Sequence, residues 1–170
     1  MNGTSGVMEP SGLSPVKGDL SGKYLTFCLD EEEFGLEILT VREIIGLLPI
    51  TSVPCTPFYV NGVINLRGKV IPVIDLRLKF GISETERTEE TCIIVVQVKS
   101  IEIGVVVDRV LEVRDILNDN IDPPPQFGAS VDADFILGMG KTNNGKVTIL
   151  LDIIKVLAGD DAVLTTIVDE

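Results

Sequence analysis

The chain of 170 residues contains no histidine and no tryptophan. Without imidazole there is no Ser-His-Asp or Cys-His catalysis and no histidine metal ligation. Two tyrosines and six phenylalanines leave little aromatic surface for stacking bases or gripping sugars. Basic residues are also scarce: 14 against 26 acids, a net charge of −12. That field repels a phosphate backbone and an anionic membrane surface. The three cysteines, Cys28, Cys55 and Cys92, are odd in number and form no CxxC. They suggest neither a disulfide framework nor a zinc site and read as small hydrophobes in a reducing compartment. Apolar runs such as Ile93-Ile94-Val95-Val96 fall far below the roughly 20 residues of a membrane helix. The N-terminus lacks the basic start and apolar stretch of a secretory signal. The expectation is a cytoplasmic protein with no metal, no cofactor, no nucleic-acid partner and no membrane insertion.

Alanine, the strongest helix former, occurs only 4 times, against 21 valines and 19 isoleucines. β-Branched side chains are stiff at χ1 and fit a pleated surface, so the expected fold class is all-β. Residues 1–22 hold five glycines, four serines and two prolines and are expected to form a disordered tail. Alternation at Leu25, Phe27 and Leu29, a polar turn at Asp30–Glu33, and alternation at Phe34, Leu36 and Ile38 predict a hairpin. Val60–Leu66 and Val70–Ile74 around Arg67-Gly68-Lys69 predict another. Cys92–Val98 reads as a strand covered on both faces. Ile101–Val113 reads as a long strand in which Gly104 marks a bulge or bend. Val147–Leu151 follows the turn Asn143-Asn144-Gly145. Asp115–Asp134 contains Pro123-Pro124-Pro125 and predicts an irregular loop.

The chain also repeats itself. Gly35-Leu-Glu-Ile-Leu-Thr-Val41-Arg-Glu43-Ile44 lies over Gly104-Val-Val-Val-Asp-Arg-Val110-Leu-Glu112-Val113 at an offset of 69 residues. Gly62 answers Gly138 at an offset of 76, and Gly68-Lys69-Val70 answers Gly145-Lys146-Val147 at 77. Asp75-Leu76 answers Asp152-Ile153 at that same offset of 77. Two copies of four to five short strands are too small for sandwiches but suit small closed barrels, which leave no unpaired edges. The division is approximately 23–90 and 91–158, with strands free to exchange between barrels, and 159–170 is a C-terminal tail. Each copy ends in Asp followed by a short helical run, so Asp75 and Asp152 read as helix caps.

Three motifs invite chemistry. The matched Asp75 and Asp152 evoke a two-lobed aspartic hydrolase, but neither is followed by Thr-Gly or Ser-Gly. Gly138-Met-Gly-Lys-Thr142 hints at a phosphate loop but lacks the four-residue spacer and a following long helix. Arg67, at a hairpin tip beside Asn65 and Gly68, reads equally as a solvated turn residue or as a recognition residue. Asn65 reads equally as a residue that tolerates an awkward backbone angle. Glu43, between Val41 and Ile44, reads either as the outward member of an alternating strand or as a contact residue.

Val60-Asn-Gly-Val-Ile-Asn-Leu-Arg-Gly-Lys-Val-Ile-Pro-Val-Ile-Asp-Leu-Arg77 resembles the signature stretch of the CheW family of chemotaxis adaptors. Val41-Arg-Glu-Ile44, Gly104–Val110, the triple proline, Ile136-Leu-Gly-Met-Gly140 and Leu150–Lys155 also fall where that family has them. The resemblance covers about 23–158, and the chain is too short for an added kinase or receiver domain, which favours the free adaptor. It implies two SH3-like five-stranded β-barrels, each with a short helix, around a shared groove. It also implies a non-enzymatic scaffold that couples the cytoplasmic tips of chemoreceptors to the regulatory domain of the histidine kinase CheA within membrane-associated arrays. A receptor tip is a helical hairpin, which could lay an apolar stripe into such a groove. The expected groove residues are Leu25, Ile38 and Val41 from one copy and Val105, Val107 and Val110 from the other. Alternation puts half of any strand inward, so two or three of the six are expected in the core. Glu43 and Arg67 match family positions tied to partner binding, Asn65 sits beside them, and Gly62 and Gly68 would let a partner's backbone approach. Other readings are a paralogue serving another sensory or motility pathway, a small-ligand-binding β-barrel, and a hydrolase built on the two aspartates.

Overall fold

The structure, a computed structural model, describes residues 18–124 and 133–158. Most of the N-terminal tail, the C-terminal tail and Pro125 therefore lie outside the described residues. Among the described residues, eleven strands form two sheets. In chain order they are β1 (Gly22–Leu29), β2 (Glu32–Glu37), β3 (Val41–Gly46), β4 (Val60–Leu66), β5 (Lys69–Asp75) and β6 (Cys92–Val98). They continue as β7 (Ile101–Val107), β8 (Arg109–Ile116), β9 (Ile121–Asp122), β10 (Ile136–Lys141) and β11 (Val147–Leu151). Two short helices, α1 (Leu76–Lys79) and α2 (Ile153–Ala158), follow β5 and β11. The valine- and isoleucine-rich runs thus become strands, as stiff β-branched side chains favour.

The sheets cut across the sequence repeat. One has the order β9-β10-β11-β2-β1-β8 and the other β3-β6-β7-β5-β4. The opening hairpin of each repeat has therefore joined the later strands of the other, and a boundary at residue 90 divides neither barrel from its partner. The exchange is reciprocal in register. Phe27 pairs with Val110 in the first sheet, and Val96 with Val41 in the second. The two parallel contacts match as well: Gly35 faces Leu150, and Gly104 faces Val73. Every partner in these pairs is displaced by the 69 or 77 residues of the repeat.

Each barrel closes by bending its chain back on itself. After β3 the chain returns at Thr51, which exchanges two hydrogen bonds with Val63 of 2.8 and 2.9 Å. After β8 it returns as β9 to pair with β10. The repeated glycines sit at these closures, beside a register shift in each case. A Cβ on Gly62, which lies at φ +141°, would fall 2.0 Å from the Thr51 carbonyl oxygen. One on Gly138 would fall 2.5 Å from the Ile121 side chain. Gly138-Met-Gly-Lys-Thr142 is accordingly a strand and its turn, not a phosphate loop.

Gly104 is not a bend. It lies within β7, where a Cβ would meet Ile93 at 2.7 Å. The expected long strand is broken instead at Asp108, where the chain leaves the second barrel for the first.

Two small cores fill the barrel lumens. Tyr24, Ile116 and Leu150 fill the first, and Ile64, Leu66, Ile71, Val73, Ile93, Val95 and Val106 the second. The largest core lies between the barrels. Phe27, Phe34 and Leu36 of one meet Ile94, Val96 and Ile103 of the other, all fully buried, and α1 and α2 add Leu76, Val156 and Leu157. Alternation along β1 and β6 makes this possible: one face of each strand looks into its own barrel and the other looks across.

Both aspartates cap helices. Asp75 accepts a hydrogen bond from the Leu78 amide at 3.3 Å, and Asp152 from the Lys155 amide at 3.2 Å. Burial pushes the Asp75 carboxyl up, partly offset by bonds from the Leu78 and Arg77 amides. A raised acid pKa means the folded chain holds the proton more tightly than the unfolded one, so charged Asp75 costs stability at neutral pH. Two comparisons by urea denaturation check these local accounts. Asp75→Asn, which keeps a cap without the charge, should match or exceed the parent, while Asp75→Ala should lose about 1 kcal/mol. Gly62→Ala should lose more than about 2 kcal/mol, whereas Gly46→Ala, with open space at its Cβ position, should be close to neutral.

Candidate functional site

A charged band crosses one end of the second barrel. Arg67 and Gly68 are the two central residues of the β4–β5 turn, with φ +53° and +87°. Two left-handed residues in a two-residue loop match the right-handed strand twist, and glycine accepts that conformation freely. Arginine does not, and holding a non-glycine residue there costs about 1 kcal/mol. Asn65 braces the turn: its side-chain Oδ1 accepts a hydrogen bond from the Gly68 amide at 2.8 Å. The awkward backbone angle is thus at Arg67 and not at Asn65. Because the barrel closes between β3 and β4, the turn swings toward β3, and an Arg67 Nη2–H donates to Glu43 Oε2. The Arg67 side chain remains 68% exposed and Glu43 34%. Beside them, Lys69 Nζ donates to Glu102 Oε1 at 3.1 Å, and Arg42 lies 3.9 Å from the same carboxylate.

Glu43, Asn65, Arg67 and Gly68 are therefore one cluster. Gly62 is not part of it. The space its missing side chain leaves is occupied by this chain's own Thr51 backbone, which accounts for the glycine without any partner. Arg42, Lys69 and Glu102 were not anticipated. Arg42 and Lys69 adjoin the motif words, but Glu102 reaches the cluster only through the β5–β7 pairing between repeats.

The six groove positions divide. Leu25, Val105 and Val107 are fully buried in the core between the barrels and cannot line an open groove. They do face the other barrel, as alternation requires, but side chains fill the space there. Ile38, Val41 and Val110 are half-buried and pack against the edge of that core. Ile38 begins the 3-10 turn Ile38–Thr40 that carries the chain from the first barrel to the second. The next residue, Leu39, is 95% exposed. Glu37, where that crossing starts, has its carboxyl pushed up by burial and by the charge of Asp152.

Buried apolar side chains occupy both lumens. Asp75 and Asp152 cap separate helices. Burial pushes the Cys28 and Cys92 thiols up, away from the thiolate that reacts. No cluster of three potential metal ligands occurs among the described residues, and no helix there is long and apolar enough to cross a membrane. What remains is a surface: an ordered charged band on one barrel and an apolar seam between two.

Comparison with known proteins agrees. A family model for the CheW-like domain matches residues 23–161. The chain is 35% identical over 153 residues to the chemotaxis protein CheW of Klebsiella aerogenes, covering 89% of this chain and 92% of that one. It is 39% identical over 128 residues to the CheW of Helicobacter pylori, covering 75% and 77%. Among solved structures, the scaffolding protein TtCheW of Thermoanaerobacter tengcongensis superposes with a TM-score of 0.75 at 38% identity, covering 81% of this chain and 93% of that one. The chain belongs to the CheW-like domain family, a family of chemotaxis scaffolds rather than enzymes, and has its fold of two β-barrel subdomains.

The division of the six positions has a direct test in urea denaturation. Leu25→Ala should cost about 2–5 kcal/mol, as a core deletion does. Leu39→Ala should stay within about 0.5 kcal/mol of the parent.

Proposed function

We propose that this chain is a chemotaxis adaptor that couples the cytoplasmic tips of chemoreceptors to the regulatory domain of the histidine kinase CheA, working at the membrane within receptor arrays. Arg67 carries the reading. A guanidinium is held on a left-handed turn at an energetic cost, braced by Asn65 and aimed by Glu43, yet it remains mostly exposed. An exposed ion pair returns only about 0–1 kcal/mol to the fold, so folding gains little from this arrangement. Strain kept at an exposed recognition group is characteristic of a contact site. The fork of a guanidinium fits a carboxylate or backbone carbonyls on a partner. Membership of a scaffold family over most of the chain supports the same conclusion. The half-buried Ile38, Val41 and Val110 and the exposed Leu39 supply apolar area along the seam, suited to the stripe of a receptor helix. Single contacts of this kind are weak, and an array would strengthen them through multivalency.

Co-sedimentation with a receptor-tip fragment and the CheA regulatory domain tests the role. Arg67→Glu should weaken capture of at least one partner by about tenfold or more, with little change in circular dichroism or thermal midpoint. Glu43→Lys should act in the same direction, and the double reversal should recover part of the loss. Unchanged capture of both partners by Arg67→Glu would remove the assignment.

A further inference from the structure

We propose that Arg77 is a pin that sets the angle between the two barrels. Arg77 lies on α1, which follows the last strand of the second barrel, and its side chain is only 10% exposed. Its guanidinium makes three bonds to three different parts of the chain. Nε donates to the Ser83 carbonyl at 2.8 Å. Nη2 donates to Asp30 at 3.2 Å, and Asp30 is on the β1–β2 turn of the first barrel. Nη1 donates to Asp108 Oδ2 at 2.6 Å, and Asp108 is the single residue between β7 of the second barrel and β8 of the first. The Asp108 carboxylate also accepts from the Asp30 amide at 2.7 Å, and the Asp108 amide donates to the Cys28 carbonyl at 3.2 Å. One planar cation therefore joins the helix of one barrel, a hairpin turn of the other and the strand crossing between them.

A contact of this kind supplies what the apolar core does not. Burial of apolar area resists separation of the barrels but has no direction, and packed layers shear readily over small distances. A charge-assisted fork bonded on several edges does have direction.

The repeat provides an internal control. The residues equivalent to Arg77, Asp108 and Asp30 in the other half are Ile154, Leu39 and Lys99. Ile154 is 46% exposed and Leu39 95%, and neither can form an ion pair. Exchanging a strand hairpin between barrels therefore does not in itself demand a buried arginine at the crossing. The ion pairs that Arg77 makes have no counterpart at Ile154 and Leu39. The inference does not depend on the adaptor reading, because it concerns the isolated molecule.

Residual dipolar couplings of backbone amides test it directly. In the parent, couplings from the first barrel (22–37, 109–122 and 136–151) and the second (41–107) should fit one common alignment tensor. In Arg77→Gln and in the isosteric Asp108→Asn, each barrel should still fit a tensor by itself, but the two tensors should differ in orientation or magnitude. One shared tensor in both folded variants would overturn the proposal. Loss of the folded spectrum in both variants would also overturn it, because the contact would then be a requirement of folding and not a setting of angle. If only Arg77→Gln fails to fold, Asp108→Asn decides alone.

Discussion

The reciprocal exchange of strand hairpins is the constraint on which the rest of the molecule depends. Each barrel lacks two strands of its own repeat and takes them from the other, so neither can be completed alone. β1 and β6 must each serve two interiors at once, which is why Ile93 through Val96 are all fully buried. The largest core is consequently the one between the barrels and not either lumen. A ~70-residue barrel has a marginal core by itself. Sharing one large core gives both units a common interior that neither has alone.

This architecture leaves function to the outer surface. The residues proposed for recognition project outward: the Glu43–Arg67 band and the half-buried residues where the chain crosses between barrels. The two halves share a backbone plan but not a surface. The turn that carries Arg67 on one barrel carries Asn144 on the other, where the Asn144 side chain bonds only within its own turn. The crossing locked by Arg77 and Asp108 corresponds to one that exposes Leu39. The repeat thus gives two barrels of one backbone plan with unlike faces, as the proposed adaptor role requires.

Much of this was legible in the sequence because it is local. Alternation located the strands, the Arg67-Gly68 turn announced its hairpin, and Asp before a short helical run announced both caps. The repeat offsets carry the pairs of one barrel onto those of the other, although the pairing itself is visible only in the structure. What alternation could not separate was inward from outward at Leu25, Val105 and Val107. Each stands on the correct face of its strand, but whether that face is open or covered depends on how barrels pack, and packing has no signature along the chain. The same limit applies to Arg77. It was legible as part of a long motif, but its partners, Asp30 and Asp108, lie 47 and 31 residues away and meet it only after the exchange. Gly62 shows the converse error. A glycine in a motif was read as room for a partner, whereas the barrel closure itself needs that room.

The shared core predicts that the two barrels open together. Native-state hydrogen exchange of the amides in Tyr24–Leu29 and Ile93–Val98 measures this most directly, because the strands belong to different barrels yet line the same core. The account predicts one common opening free energy, equal to that of global unfolding, for the most protected amides of both strands. Two separate values, with one barrel's strand exchanging while the other stays protected, would contradict it.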